Sequence, residues 1–262
     1  MFNLKSKTKS MMLVSSAILL SQQTYAAEPL LVSSIDWCPQ LCGTGDKEGY
    51  VMDTVKAVFK DSPYQVNVTT FPWSRAIKSV EKGQAQALLA PAKQEAPNLM
   101  FPTQEVGIQR MCFFTKSHSD WEYTGPESLA GLKVGLAQDT SIEELNSFIA
   151  DNPDQFDFIP YSDSYLDISF KKTKFDRIDT FIWTYNSTQY ALNQQSLAAD
   201  FKEVGCVSTA KIYMAFTPDA GQTSDVKEMM DYFDQQMASL KASGEIKNIM
   251  AKYGLSDWQD FL

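Results

Sequence analysis

Four cysteines and a single histidine are the residues whose chemistry this sequence states most directly. Cys38 and Cys42 bracket the stretch Cys38-Pro39-Gln40-Leu41-Cys42 and lie close enough to bridge a tight ring. A ring of that size gives modest entropic stabilisation but strongly restricts the shape of its loop. Cys112 and Cys206 then form the second pair, closing a long loop. Three connectivities are formally open, and this one is favoured. A zinc site competes for the same thiols, but it needs more sulfur or imidazole at ligand spacing. The one histidine, His118, sits in the polar run Lys116-Ser117-His118-Ser119-Asp120, which reads as an exposed loop. No metal site and no cofactor are expected. Disulfides in turn imply an oxidising compartment.

The N-terminus agrees with that compartment. Lys5, Lys7 and Lys9 precede a charge-free run over 11–20, and small and polar residues follow over 21–27. Basic, apolar and small-residue segments in that order make a secretory signal, with cleavage expected after Ala26 or Ala27. Ten apolar-leaning residues are too few for a stable membrane anchor, and no later stretch is long enough to span a bilayer. A free protein in the periplasm of a Gram-negative bacterium is expected. Losing the signal would move the formal charge from −9 to −12, with 20 basic against 32 acidic residues. An acidic surface repels phosphate backbones, so nucleic acid is a poor partner. The 44% hydrophobic content is ample for a substantial core, and about 235 mature residues suit one large domain or two lobes of about 100.

The elements that must position any site alternate along the chain. Strands are predicted over 30–35, 64–70, 85–90, 110–115, 132–137, 177–183 and 212–217 from apolar runs and period-two alternation. Helices are predicted over 49–59, 74–81, 141–150, 161–172, 185–194, 226–241 and 245–253. Ser141 with Glu144 makes a capping-box signature, and Gly244 and Gly254 follow the last two helices as stop signals. Strands separated by helices at this rhythm imply an α/β fold with parallel-rich sheets. There is no low-complexity linker and no fixed-period repeat, which favours two intertwined lobes over tandem domains.

Four stretches in this order resemble the family 3 bacterial extracellular solute-binding proteins. They are Gly49-Tyr50-Val51-Met52-Asp53, then Phe71-Pro72-Trp73-Ser74-Arg75-Ala76-Ile77 with Gly83. The third runs Ser128-Leu129-Ala130-Gly131-Leu132-Lys133-Val134-Gly135 and continues at Asp139-Thr140-Ser141; the fourth is Leu240-Lys241-Ala242-Ser243-Gly244-Glu245-Ile246, ending at Lys252-Tyr253-Gly254. The resemblance covers roughly 30–254. It implies a two-lobe periplasmic-binding-protein-like fold of type II, with lobe 1 over 28–108 plus 210–262 and lobe 2 over 109–209. Two connecting strands, near 105–109 and 208–211, form the hinge. Cys112 and Cys206 fall beside those crossings, where their bridge stiffens the base of lobe 2.

The resemblance also implies which residues face a ligand in the cleft. Trp37 and Trp73 match stacking aromatics, able to sandwich a planar ligand or hold a cation; core packing is the alternative for each. The loop Gln138-Asp139-Thr140-Ser141 precedes a predicted helix, so its backbone N–H groups and hydroxyls suit a carbonyl or anion, with plain N-capping as the alternative. Trp183 and Thr184 fall where the family places the aspartate that receives an α-amino group. The family's carboxylate-gripping arginine is absent from 90–98, since no arginine lies between Arg75 and Arg110. Arg75, Lys93 or Arg110 is the candidate replacement cation. With both anchors missing, tight binding of ordinary L-amino acids is not expected.

The implied function is a monomeric receptor that captures a small polar or stackable molecule by lobe closure for an ABC importer. A membrane sensor is the alternative partner. An enzyme on the same scaffold, of the cyclohexadienyl dehydratase kind, is the competing class. It would need a tuned acid or base among Glu95, Glu105 and Asp139, none of which has a histidine, nucleophile or metal motif beside it.

Overall fold

The computed structural model describes residues 28–138, 140, 142–160, 162, 164–219 and 223–262. The expected signal, Asp139 and Ser141 lie outside the described residues. Two sheets organise the chain. The first is built from β1 (Glu28–Ser34), β2 (Tyr64–Thr70), β3 (Ala87–Leu89) and β9 (Met214–Phe216), in the order β2-β1-β3-β9. β1 runs parallel to β2 and β3, while β9 returns antiparallel to β3. Around it lie α1 (Tyr50–Val58), α2 (Trp73–Glu81), α6 (Thr223–Ser243) and α7 (Glu245–Lys252). α1 buries Tyr50, Val51, Met52, Val55 and Val58, a spacing that places one helical stripe against the sheet. Their core continues through Phe216, Phe233, Met250 and Trp258, so both ends of the described chain build one interior.

The second sheet has the order β6-β5-β7-β4-β8. Its strands are β4 (Gly107–Lys116), β5 (Val134–Ala137), β6 (Phe156–Ile159), β7 (Thr180–Thr184) and β8 (Phe201–Ile212). β5 is parallel to β6 and β7, and β4 is antiparallel to β7 and β8. The helices α3 (Asn146–Asp151), α4 (Tyr165–Lys174) and α5 (Tyr185–Gln194) belong to it. Adjacent strand residues serve opposite faces. Phe114 and Phe181 pack with Phe170 and Phe201 on one side, and Phe113 and Ile182 with Leu136 and Leu145 on the other. Two mixed α/β sheets of this kind are the expected two-lobe architecture.

β4 and β8 carry the chain between the sheets and pair from Gly107↔Ile212 to Lys116↔Phe201. Cys112 and Cys206 are register partners within that ladder and form one disulfide; Cys38 and Cys42 form the other. Just before β4, Thr103 and Gln104 donate their N–H groups to the Asp234 carboxylate of α6, at 2.9 and 2.7 Å.

Some expected elements shift. The helix expected from 141 is a 3₁₀ turn over Glu143–Leu145 followed by α3 at Asn146. There the Asn146 side chain accepts the Ile142 N–H at 3.1 Å, offering the backbone a local partner in place of an earlier helical turn. The described helix expected from 161 begins at Tyr165. β6 and most of β8 were not expected from the sequence.

Candidate functional site

The disulfide ring at Cys38–Cys42 positions the first aromatic. Trp37 and Leu41 exchange backbone hydrogen bonds across its mouth, at 2.7 and 3.0 Å. α1 then locks against the ring, with Tyr50 and Val51 donating to the carbonyls of Pro39 and Gln40 at 2.9 and 3.0 Å. That approach requires Gly49: its φ is +103°, and a Cβ there would meet the Gln40 carbonyl oxygen at 2.3 Å. Trp73 opens α2 behind Pro72, whose fixed φ suits a helix entrance. Trp183 and Thr184 end β7, where the chain turns into α5.

These residues meet around a cavity of about 340 Å³ lined by Ile35, Asp36, Trp37, Trp73, Ala90, Glu95, Gln109, Met111, Thr140, Trp183 and Thr184. Its walls come from both sheets. Ala90, just past β3, holds φ at +63°, an uncommon backbone conformation for a residue with a Cβ. The Thr184 side-chain hydroxyl is the most telling wall group. Thr184 is 5% exposed, and its Oγ1 has no hydrogen-bond partner among the described residues. Such a group costs about 1–3 kcal/mol unless something else satisfies it.

The lining is acidic. Asp36 and Glu95 are its charged residues, and no lysine or arginine contributes among the described residues. The Asp36 carboxylate accepts the Gly43 N–H at 2.9 Å, and Glu95 Oε2 accepts the Ala92 N–H at 2.7 Å. Glu95 keeps solvent access, yet the surrounding walls displace enough water to push its carboxyl above the ordinary value, against the pull of Ala92. An adjoining cavity of about 270 Å³ shares Glu95, Gln109 and Met111 and adds Glu143 and Glu144.

The structure thus brings together Trp37, Trp73, Thr140, Trp183 and Thr184 from the sequence-derived candidates. It does not bring Arg75, Lys93 or Arg110 to the cavity. Arg75 is exposed on α2 and stacks on Phe71, 4.8 Å from the ring centre. Lys93 is exposed and stands over Tyr213 and Phe101, at 4.9 and 5.9 Å. Arg110 lies between the rings of Tyr185 and Phe261, at 4.5 and 4.3 Å, with Nη2 3.1 Å from Cys206 Sγ. Strand alternation explains its loss: Gln109 and Met111 face the cavity, so Arg110 must face away. Those two residues and Asp36 were missed by sequence reasoning; the alternation of β4 carries the signal for the first two. Of the acids weighed for catalysis, Glu95 lines the cavity. Glu105 is instead buried between Lys241 and Lys211, at 2.6 and 3.3 Å, and Asp139 lies outside the described residues. His118 is exposed, as its polar surroundings predict.

No helix among the described residues is long and apolar enough to cross a membrane. The family profile of the bacterial extracellular solute-binding proteins, family 3, matches residues 40–256. Comparison with curated protein sequences found no match. Among solved structures, an ABC uptake transporter substrate-binding protein from Streptococcus pneumoniae with bound histidine is similar at 16% identity, with 89% of this chain and 95% of that one covered and a TM-score of 0.61. A protein from work on glutathione import through GshT and the cystine ABC importer TcyBC of Streptococcus mutans aligns at 16% identity, over 88% and 97% of the chains, with a TM-score of 0.65. A histidine kinase sensor domain with similarity to periplasmic binding proteins aligns at 16% identity, over 87% and 96%, with a TM-score of 0.60. At these identities the neighbours establish the fold. The profile match establishes the family: this chain belongs to the family 3 bacterial extracellular solute-binding proteins.

Proposed function

We propose that this family 3 member captures its solute in the cavity between the two sheets, by closure of lobe 2 (109–209) onto lobe 1 (28–108 plus 210–262). The observation that carries this reading is the cavity itself, walled by Trp37 and Trp73 from one lobe and Trp183 and Thr184 from the other. A ligand that touches both walls favours the closed arrangement by its extra affinity for it. The unpartnered Thr184 hydroxyl supplies a polar contact that a bound molecule would complete. Trp37, Trp73, Thr140, Trp183 and Thr184 are the proposed contacts, with Glu95, Gln109 and Met111 added from the cavity wall.

The chain works in the periplasm after removal of residues 1–26 or 1–27, as a monomer, without catalysis. Glu95 has its carboxyl raised by burial, and among the described residues no imidazole, thiol or lysine stands in the lining to share proton transfer with it. Its partner is an ABC importer, the role that the pneumococcal neighbour's description gives that protein. A membrane sensor is the second reading, favoured by the likeness to a kinase sensor domain. Native mass spectrometry of protein purified without denaturation tests the capture. A small molecule retained by the folded chain and released on unfolding is expected. A folded chain that retains nothing and stays unmoved by a broad solute library would contradict it.

A further inference from the structure

We propose that the solute is a small organic cation that carries no carboxylate, an amine, guanidinium or quaternary ammonium compound. This deepens the proposed function and rests on the cavity being the binding site. Three tryptophans line that cavity: Trp37, Trp73 and Trp183. Indole faces carry the negative lobe of a quadrupole and attract a desolvated cation better than any other side-chain ring. Asp36 and Glu95 line the same walls with no lysine or arginine beside them among the described residues. Glu143 and Glu144 add further negative charge in the adjoining space.

The charge arrangement decides between ligand classes. A carboxylate bound here would face Asp36 and Glu95 with no cation to neutralise it, in a partly enclosed space that weakens screening. Arg75, Lys93 and Arg110 cannot relieve it from where they stand, since each rests on aromatic rings outside the lining. A neutral sugar would gain from the indole faces and could donate hydroxyl hydrogen bonds to the carboxylates, but it would leave both negative charges unneutralised. A cation answers all the wall groups together. It meets the indole faces, offsets Asp36 and Glu95, and, where it bears N–H or O–H groups, can supply the missing partner for Thr184 Oγ1. The volume of about 340 Å³ suits a molecule of this size.

Calorimetric titration of the mature chain at pH 7.5 with matched pairs tests the inference: agmatine against arginine, cadaverine against lysine, and choline against glycine betaine. Glutamate, succinate and glucose complete the panel. At least one cation is expected to bind with a micromolar Kd and at least tenfold more tightly than its carboxylate-bearing counterpart. Glu95→Gln is expected to weaken that binding tenfold or more while leaving the Tm of the free chain within a few degrees. Silence from every cation overturns the inference, as does an acid that matches or beats its carboxylate-free partner. If glutamate, succinate or glucose binds while the cations do not, the receptor reading stands and the cation inference falls. If the whole panel is silent, the cation inference falls and the native mass spectrum decides the fate of the receptor reading.

Discussion

Ser187 Oγ donates a hydrogen bond to the carbonyl oxygen of Cys38 at 3.0 Å, so the first turn of α5 touches the disulfide ring beside Trp37. Gln40 Nε2 donates to the same hydroxyl at 3.3 Å, and Asn186 Nδ2 donates to Tyr50 OH at 3.1 Å. These contacts join α5, of the second sheet, to the disulfide ring and α1, of the first. Ser187→Ala removes the shared hydroxyl and leaves Gln40 Nε2 without its acceptor. We expect affinity for the solute to fall roughly fivefold, the equivalent of about 1 kcal/mol for one net hydrogen bond. Calorimetry reads the loss, and small-angle scattering should show a less compact liganded chain.

The two disulfides should separate stability from binding. Cys112 and Cys206 close a loop of 94 residues, worth about 4–5 kcal/mol in the chain-entropy picture, whereas the ring closed by Cys38 and Cys42 is worth only about 2 kcal/mol. The Cys112→Ala/Cys206→Ala variant should lose stability in urea while keeping most of its affinity at low temperature. Cys38→Ala/Cys42→Ala should do the reverse, because the loop that fixes Trp37 loses its constraint. Urea titration and calorimetry on both variants check the contrast.

Acid should weaken capture early. Burial raises the Glu95 carboxyl above its ordinary value, so the group begins to take up a proton at a higher pH than a free glutamate. Its neutral form cannot offset a cation. Affinity should therefore fall as the pH drops from 7 toward that raised pKa. In Glu95→Gln the early part of the decline should vanish. A pH series of calorimetric titrations on both chains measures it.

Glu105 should behave oppositely. Burial acts to raise its carboxyl, but the Lys241 hydrogen bond, a backbone hydrogen bond, the Lys241 charge and the Lys211 hydrogen bond together outweigh it and hold the group below the ordinary value. A depressed carboxylate contributes stability that is present above its unfolded pKa and lost as the pH falls through the folded one. Lys241→Met leaves a 5% exposed carboxylate short of its nearer partner and should cost about 3 kcal/mol in urea unfolding at pH 7. Adding Glu105→Gln to that variant should recover part of the loss.

The cations seated outside the cavity should be dispensable for capture. Arg75→Ala and Lys93→Ala are expected to leave affinity within about twofold, since each removes an exposed cation–ring contact worth about 0.5–1 kcal/mol at most. A tenfold loss in either would show that the solute reaches beyond the walls described above.

Much of this arrangement was legible from periodicity, and the failures have local causes. β1, β2 and β5 announce themselves through β-branched or apolar runs, and α1 and α5 fall at the predicted places through helical spacing. β6 is an edge strand of four residues with Phe158 exposed, too short and too mixed to stand out. β8 is also an edge strand, and its alternation is broken where the register shifts beside Cys112 and Gly205 takes φ +126°. The resemblance points to the tryptophans that line the cavity, because a stacking position is marked by residue type. Arg110 stood among the candidates because its type suits a carboxylate, while its direction depends on the phase of β4. That phase is fixed only once the cavity is known to face Gln109 and Met111.

One tryptophan from each lobe gives the most direct test of capture between them. Calorimetric titration of the tightest-binding solute should compare the wild-type chain with Trp37→Ala, Trp183→Ala and the double variant, each checked for folding by circular dichroism. Closure around a ligand held from both sides predicts at least a tenfold loss for each single variant. It also predicts that the double variant loses less than the product of the two, because either single change already disfavours the closed state. A folded Trp183→Ala chain that binds as tightly as wild type would contradict the account.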